Sequence, residues 1–386
     1  MRERHGPDTL RAVLRLASLQ RATLVALGLA VTLTTGCPPS FEGLQIVGDP
    51  DGSVPRADAF IPLVDGGRAA GGPCGFPQLL VTVENFDSPP GRVLRFELDA
   101  YPATTAHRCG DLTGAGRMVQ QPWTAVRAPD GRVIVAGDDA VQAVDGETDA
   151  LTTLVMASEI PHRPSDSFLL RAPDGSTRIA IAFTAFSTSN DIRDLWTLAG
   201  GAVVDRWTLG SGTLPLGIAV KSMTASPINP GRLLAVRSDM YAAVEVDPWA
   251  SMRFDMPPYV APRDGVVLST ISALNDGTTN RVAWVGSQDG REGAYAITDS
   301  TGAGDLRVPL PYRCDETMCD SFAHAVPDPT EYHRVIAICT TNGPPSVSKV
   351  VRFSTTGNPC EVLIDDTRVV RGGRLRFSHL AMTVGP

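Results

Sequence analysis

The sequence predicts an all-β fold in which one four-stranded unit repeats around a ring, a β-propeller. Three observations carry the prediction. Downstream of residue 78, short runs rich in β-branched residues alternate with turn signals, with almost no helical periodicity. A turn built on Pro or Asn returns at Pro129, Pro173, Asn229, Asn275 and Pro327, at spacings of 44, 56, 46 and 52 residues. The two ends of the region also complement each other. The first strands, LLVTVEN (79–85) and RVLRFEL (92–98), lack a preceding strand and turn of the repeat type, and LRFSHLAMTVGP (375–386) reads as such a strand with nothing after it.

The unit is clearest at 123–145, WTAVRAPDGRVIVAGDDAVQAVD. An apolar strand leads to Pro129-Asp130-Gly131. A second strand follows at 132–136, an acidic turn at Asp138-Asp139, a third strand at 140–144 and a fourth at 151–156. Pro presets φ, Asp bonds locally and Gly accepts positive φ, so the turn has a mechanism. The order returns at 167–175 (SFLLRAPDG), 222–246, 269–297 and 321–353, with a hairpin through Gly200-Gly201. A single blade cannot bury both faces, whereas radial packing covers them and leaves only short edges. If the C-terminal strand completes the first blade, six blades result. A seventh fits only if 157–216 hides one, and a pair of β-sandwiches is the competing fold. The Ala-Pro-Asp-Gly turn, strand and acidic turn resemble the repeats of TolB-like and YVTN-type periplasmic propellers over most of 79–386.

The propeller is predicted to occupy 76–386 of the 386 residues. Ahead of it, Arg21 is the last charge before the run 22–36, whose apolar heart, 24–33, is about ten residues long. That falls short of the ~20 needed to span a bilayer and matches the apolar region of a secretory signal, about 7–15 residues. The run ends in LTTGCPPS (33–40). Leu33-Thr34-Thr35-Gly36-Cys37 resembles the lipobox of bacterial lipoproteins, with Thr34 standing where that pattern prefers Leu. The resemblance implies removal of 1–36 and diacylation of Cys37 as the first mature residue. An ordinary signal peptide with a bystander cysteine, or an uncleaved anchor, are the alternatives. In those lipoproteins Asp after the cysteine marks inner-membrane retention. Pro38 therefore implies the outer membrane, with the domain facing periplasm or exterior.

Residues 37–75 are rich in Gly, Pro, Asp and Ala and lack periodicity, so they read as a flexible tether. Asp49-Pro50-Asp51-Gly52 begins like a calcium loop but lacks the later acidic ligands, and reads as a turn. With Cys37 set aside, Cys74, Cys109, Cys314, Cys319, Cys339 and Cys360 are an even number, suited to disulfides in an oxidising compartment. Sequence alone does not fix their connectivity. The local pairs would be Cys74–Cys109, Cys314–Cys319 and Cys339–Cys360. No second Cys/His pair makes Cys314 and Cys319 half of a zinc set.

The whole chain carries 34 Lys+Arg against 42 Asp+Glu, a net charge of −8. Segment 1–36 holds five arginines and two acids, so the remainder has 29 basic and 40 acidic residues, near −11. Such a surface repels nucleic acid.

Catalytic motifs are few: there is no GxSxG or HExxH, and the Gly-rich 110–117 lacks the lysine of a phosphate loop. No catalytic residue and no cofactor is assigned. One pair of histidines stands out. His324 in Phe322-Ala323-His324 and His379 in Phe377-Ser378-His379 share a spacing. If both lie on innermost strands, closure of the ring makes them neighbours at the central channel, able to hold a metal or small anion. Against this, Val126 and Leu170 occupy the matching position in ungapped alignments of the repeats, which would place the histidines in inter-blade core. The acidic turns Asp138-Asp139 and Asp315-Glu316 read as solvated, and Trp123, Trp196 and Trp207 as packing residues. Three functions follow. The first is a non-enzymatic module, monomeric and lipid-anchored, that binds an envelope protein or polymer. The second is an envelope hydrolase or lyase with its site at the channel mouth. The third is a metal-binding periplasmic protein.

Overall fold

The computed structural model describes residues 75–85, 91–98, 106–112, 119, 121–146, 148–185, 191–209, 213–214, 218–226, 229–237, 243–250, 253–259, 266–275, 280–288, 292–299, 313–314, 317–330, 334–341, 348–354, 360–365 and 375–383. The leader, Cys37, the tether through Cys74, and Asp315-Glu316 lie outside them.

The repeats become six antiparallel sheets. Blade I runs, from the axis outwards, Leu375–Thr383, Gln78–Asn85, Arg92–Leu98 and Ala106–Asp111. Blade II holds Pro122–Arg127, Val133–Gly137, Ala140–Val144 and Leu151–Met156. Blade III holds Arg163–Arg171, Thr177–Thr184, Ile192–Ala199 and Ala202–Thr208. Blade IV is Ile218–Ala225, Leu233–Arg237, Ala243–Asp247 and Arg253–Tyr259, with Thr213–Leu214 added at its inner edge. Blade V shows three strands among the described residues, Val266–Asn275, Asn280–Gln288 and Glu292–Asp299. Blade VI holds Ser321–Pro327, Arg334–Thr340, Ser348–Ser354 and Cys360–Asp365, preceded by a ribbon of Arg313–Cys314 and Thr317–Met318. Each inner strand touches the next, around to blade I again. The segment 157–216 supplies one blade and the start of the next, so the described residues form six blades. The C-terminal strand closes blade I by pairing antiparallel with Gln78–Asn85, from Gln78↔Thr383 to Asn85↔Leu375.

Strands that read as nearly continuous apolar runs do so because both faces are covered. Leu79, Val81 and Val83 enter a core shared with Ile336, Ile338 and Val350 of blade VI. Leu80, between them, points the other way, into a core with Ala125, Val133 and Val135 of blade II. The same split recurs in blade II, where Val126, Ile134 and Ala136 pack on Ile181, Phe183 and Trp196 of blade III. Burying each such side chain stabilises by about 1.5–3 kcal/mol. The side-chain period of two thus serves two neighbours at once.

The repeated turn joins the first and second strands of blades II, III, IV and VI. Asp130 Oδ1 accepts from the Arg132 amide at 3.1 Å, Asp174 Oδ1 from Ser176 at 2.8 Å, and Asp328 Oδ1 from Thr330 at 2.9 Å. Gly131 and Gly175 take φ of +89° and +82°. In blade IV, without the Asp, the turn closes by the Arg232 amide on the Asn229 carbonyl at 2.7 Å.

Blade VI carries covalent and ionic ties. Cys314 bonds Cys360 and Cys319 bonds Cys339, with Cα separations of 5.1 and 5.3 Å. This corrects the local pairs Cys314–Cys319 and Cys339–Cys360. The ribbon sets Cys314 opposite Thr317. Cys319 is instead held at the edge of the blade by the Asp320 amide on the Thr340 carbonyl, one residue from Cys339. Cys74 lies outside the described residues, as does the side chain of Cys109. The fully buried Arg352 guanidinium pairs with Asp328 at 2.8 Å, and Arg334 with Glu361 at 3.4 Å.

Around Gly175 there is open space for a β-carbon. Gly175→Ala should therefore cost only the left-handed backbone penalty, roughly 1–2 kcal/mol, read as a lower urea midpoint at unchanged slope. An unchanged midpoint would show that the turn does not depend on positive φ.

Candidate functional site

Every inner strand carries a bulge, an extra residue that its partner strand skips. The skipped residues are Ser378, Trp123, Ser165, Lys221, Ser269 and His324. A bulge re-aims side chains and interrupts the ladder. Some of the freed groups bond between neighbouring strands near the axis. Ser378 and Thr82 share a hydroxyl contact of 2.8 Å, and both reach the Trp123 carbonyl, at 3.4 and 3.3 Å. Thr124 and Ser167, on neighbouring inner strands, are hydrogen-bonded through their hydroxyls.

At His324 the bulge has a larger effect. The residue takes φ of +45°, and Phe322 and Ala325 on either side go into the inter-blade core. Val126 and Leu170, its matches in an ungapped alignment, lie in such cores. His324 does not, because the extra residue turns it out of that register. Its ring lies 3.7 Å, centroid to centroid, from that of His379. The structure therefore brings the two sequence-selected histidines together, on the inner strands of blades VI and I.

Asp166, on the inner strand of blade III, joins them. Its Oδ1 is 3.8 Å from His324 Nε2. One donor atom from each of Asp166, His324 and His379 lies within 4.8 Å of the others. The sequence reading missed Asp166 because it began the strand at Ser167; the structure begins it at Arg163. The available signal was the polar run Pro164-Ser165-Asp166-Ser167 before SFLL, too hydrophilic for an inter-blade face and suited to an axial one.

The electrostatics follow from burial. Desolvation lowers His324 to about 3 and holds His379 well below the ordinary value of 6.5, with His324 adding to the effect. Both rings are neutral at pH 7. The Leu380 amide donates to His324 Nδ1 at 3.2 Å, so the proton of the neutral ring sits on Nε2, the nitrogen facing Asp166. Burial raises the Asp166 carboxyl to about 7, although the Met223 amide and the Ser165 hydroxyl pull the other way. His379 is 1% exposed and neither ring nitrogen has a hydrogen-bond partner among the described residues. An unmet buried polar group costs about 1–3 kcal/mol.

The remaining candidates scatter. His162 lines a cleft of about 370 Å³ with Asp138, Ile160, Pro161, Arg163 and Ala185, and lies 3.6 Å from Asp194. Asp138 is exposed at its turn. Trp123 is covered by the Arg163 guanidinium, 3.5 Å from its ring. Trp196 stacks on Phe183 at 4.8 Å and Trp207 meets Trp249 at 5.3 Å, so all three tryptophans pack. The side chain of His107, and His5 and His333, lie outside the described residues, as does 113–118 of the Gly-rich stretch.

The fold and the axis define the chain as an all-β propeller. No family model matches the sequence, and no curated protein matches it. Among solved structures the fold is similar to TolB from Acinetobacter baumannii, with a TM-score of 0.48 and 13% identity over 79% of this chain. That match spans 66% of TolB, just under two thirds. The fold is also similar to the six-bladed lectin of the fungus Aleuria aurantia, with a TM-score of 0.47 and 14% identity over 79% of this chain and 95% of that one.

The buried rings give a pH dependence whose sign can be worked out. Below 6.5 the unfolded chain binds protons that folded His379 refuses, and that folded His324 refuses until about 3. This stability is complete above 6.5 and is lost as pH falls. Asp166 acts oppositely: its contribution is present below 3.8 and lost as pH rises through about 7. His379→Phe keeps a flat ring without a titrating nitrogen. With chelator present, it should make the acid-side loss of stability shallower by about one proton, ~1.4 kcal/mol per pH unit. Equal slopes in urea titrations at pH 4.5–6.5 would count against the buried-imidazole account.

Proposed function

We propose that the chain is a lipid-anchored β-propeller of the bacterial outer membrane that binds an envelope protein or polymer without catalysis. The observation that carries this reading is the burial of the axis. Asp166 is 5% exposed and His379 1%, so a glycan or lactone has no approach to them. Recognition then falls to the loops on the faces of the ring, where binding residues usually sit on a rigid scaffold. The cleft beside His162 and Arg163 is one such surface.

Two disulfides in blade VI support an oxidising compartment, in keeping with the leader and its LTTGC ending. The membrane would be contacted through the lipid on Cys37 and the domain carried as a monomer on the 37–75 tether. The excess of acidic over basic residues argues against nucleic acid.

One observation favours the enzymatic alternative. A carboxyl held near 7 beside an imidazole is an arrangement used for proton transfer. The two readings separate in a turnover assay of the full chain with esters, lactones and glycans. The binding reading expects no turnover, and hydrolysis or elimination that His324→Phe abolishes would overturn it. For the anchor, the wild type is expected to fractionate with membranes and to take up labelled fatty acid, and Cys37→Ser to lose both. A labelled, membrane-bound Cys37→Ser variant would sink the anchor.

A further inference from the structure

We infer that Asp166, His324 and His379 bind one divalent transition-metal ion on the axis of the propeller. The inference goes beyond the binding-module reading and depends on neither its lipid anchor nor its partner.

Three features carry it. The donor set is two imidazoles and a carboxylate, which suits zinc, iron or a similar ion rather than calcium or magnesium. The three donors come from three blades and meet at one place, with ligand atoms within 4.8 Å of one another. Bonds of about 2.0–2.2 Å join donors that are roughly 3–3.5 Å apart, so the 3.8 Å between His324 Nε2 and Asp166 Oδ1 needs only a small closure. The third feature is His379. Its ring nitrogens are buried and have no hydrogen-bond partner among the described residues, and an unmet buried group of this kind points to a water or ion that belongs there.

Scale separates the ion from other ligands. The site is too enclosed for an organic substrate, whereas an ion needs only three lone pairs and a path. His324, with its side chain 13% exposed, stands on that path. The proton balance is also defined. His324 now carries its proton on Nε2, because Leu380 donates to Nδ1. Coordination through Nε2 moves that proton to Nδ1 and gives up the Leu380 contact. Asp166 enters as the carboxylate and releases its proton to solvent where it holds one.

The test uses the full chain in detergent, stripped with EDTA and titrated with Co²⁺ and Zn²⁺ at pH 7.5. Expected are one Co²⁺ per chain with a visible d–d band, and a Tm that climbs with Zn²⁺ concentration, as a ligand of the folded state requires. Asp166→Asn and His379→Phe should each weaken binding at least about tenfold, the range for disturbing even the outer partners of a metal site. Circular dichroism of the stripped variants checks that they fold. A wild type with no d–d band and no Zn²⁺-dependent Tm overturns the inference, leaving a water or a bare ring pair at the axis. So does binding that both variants retain unchanged. If a variant does not fold, the wild-type spectrum and stoichiometry still decide.

Discussion

The pairing of Gln78–Asn85 with Leu375–Thr383 is the contact on which the rest of the ring depends. It joins residues 296 apart in sequence, as in the Thr82–Ser378 hydroxyl contact. Without it blade I would present an open inner edge, and the cores it shares with blades II and VI would lose a wall. The inter-blade cores are filled by alternate residues of the same strands, so no blade is complete alone. Closing the last gap removes an edge and covers two faces at once.

The axis shows what that closure requires. Six inner strands converge there, and each bears a bulge. On an ordinary strand every second side chain would point into an inter-blade core. The extra residue breaks this alternation and frees a few side chains and carbonyls to face one another. Hydroxyls there, as in Ser378 with Thr82 and Thr124 with Ser167, let neighbouring strands share hydrogen bonds. Where the bulged residue is His324, the same device brings an imidazole against the one from blade I and the carboxyl from blade III. The architecture of the ring and the chemistry of its centre thus have a common origin in the bulges.

Much of the fold was legible because it rests on local, repeated signals. The Pro-Asp-Gly turns place strand boundaries by backbone chemistry alone, and the strands at the two ends announced their own pairing. The axial histidines were legible as a pair, since Phe322-Ala323-His324 and Phe377-Ser378-His379 repeat a spacing. Their surroundings were not. A one-residue bulge decides whether His324 joins Val126-type core or faces the axis, and no sequence signal marks it. Asp166 lies far from both histidines in sequence and reaches them only through the ring. The disulfides were misread for a related reason: nearness in sequence favoured Cys314 with Cys319, while strand pairing set Cys319 beside Cys339 and left Cys314 for Cys360.

The closing strand also fixes the order of events in folding. Blades II to VI are built from hairpins whose strands follow one another, and each can form as its residues become available. Blade I cannot, because its innermost strand is the last one of the described chain. Until Leu375–Thr383 arrives, Gln78–Asn85 is paired only with Arg92–Leu98 and leaves its other edge open, with apolar residues on both faces, able to pair with another chain. The partner on that open edge is the most distant described strand, and such pairings are slow to find. The interval between the first strand and the last is therefore when the chain is most exposed to aggregation, and a chaperone that covers 78–85 would act where the need is greatest.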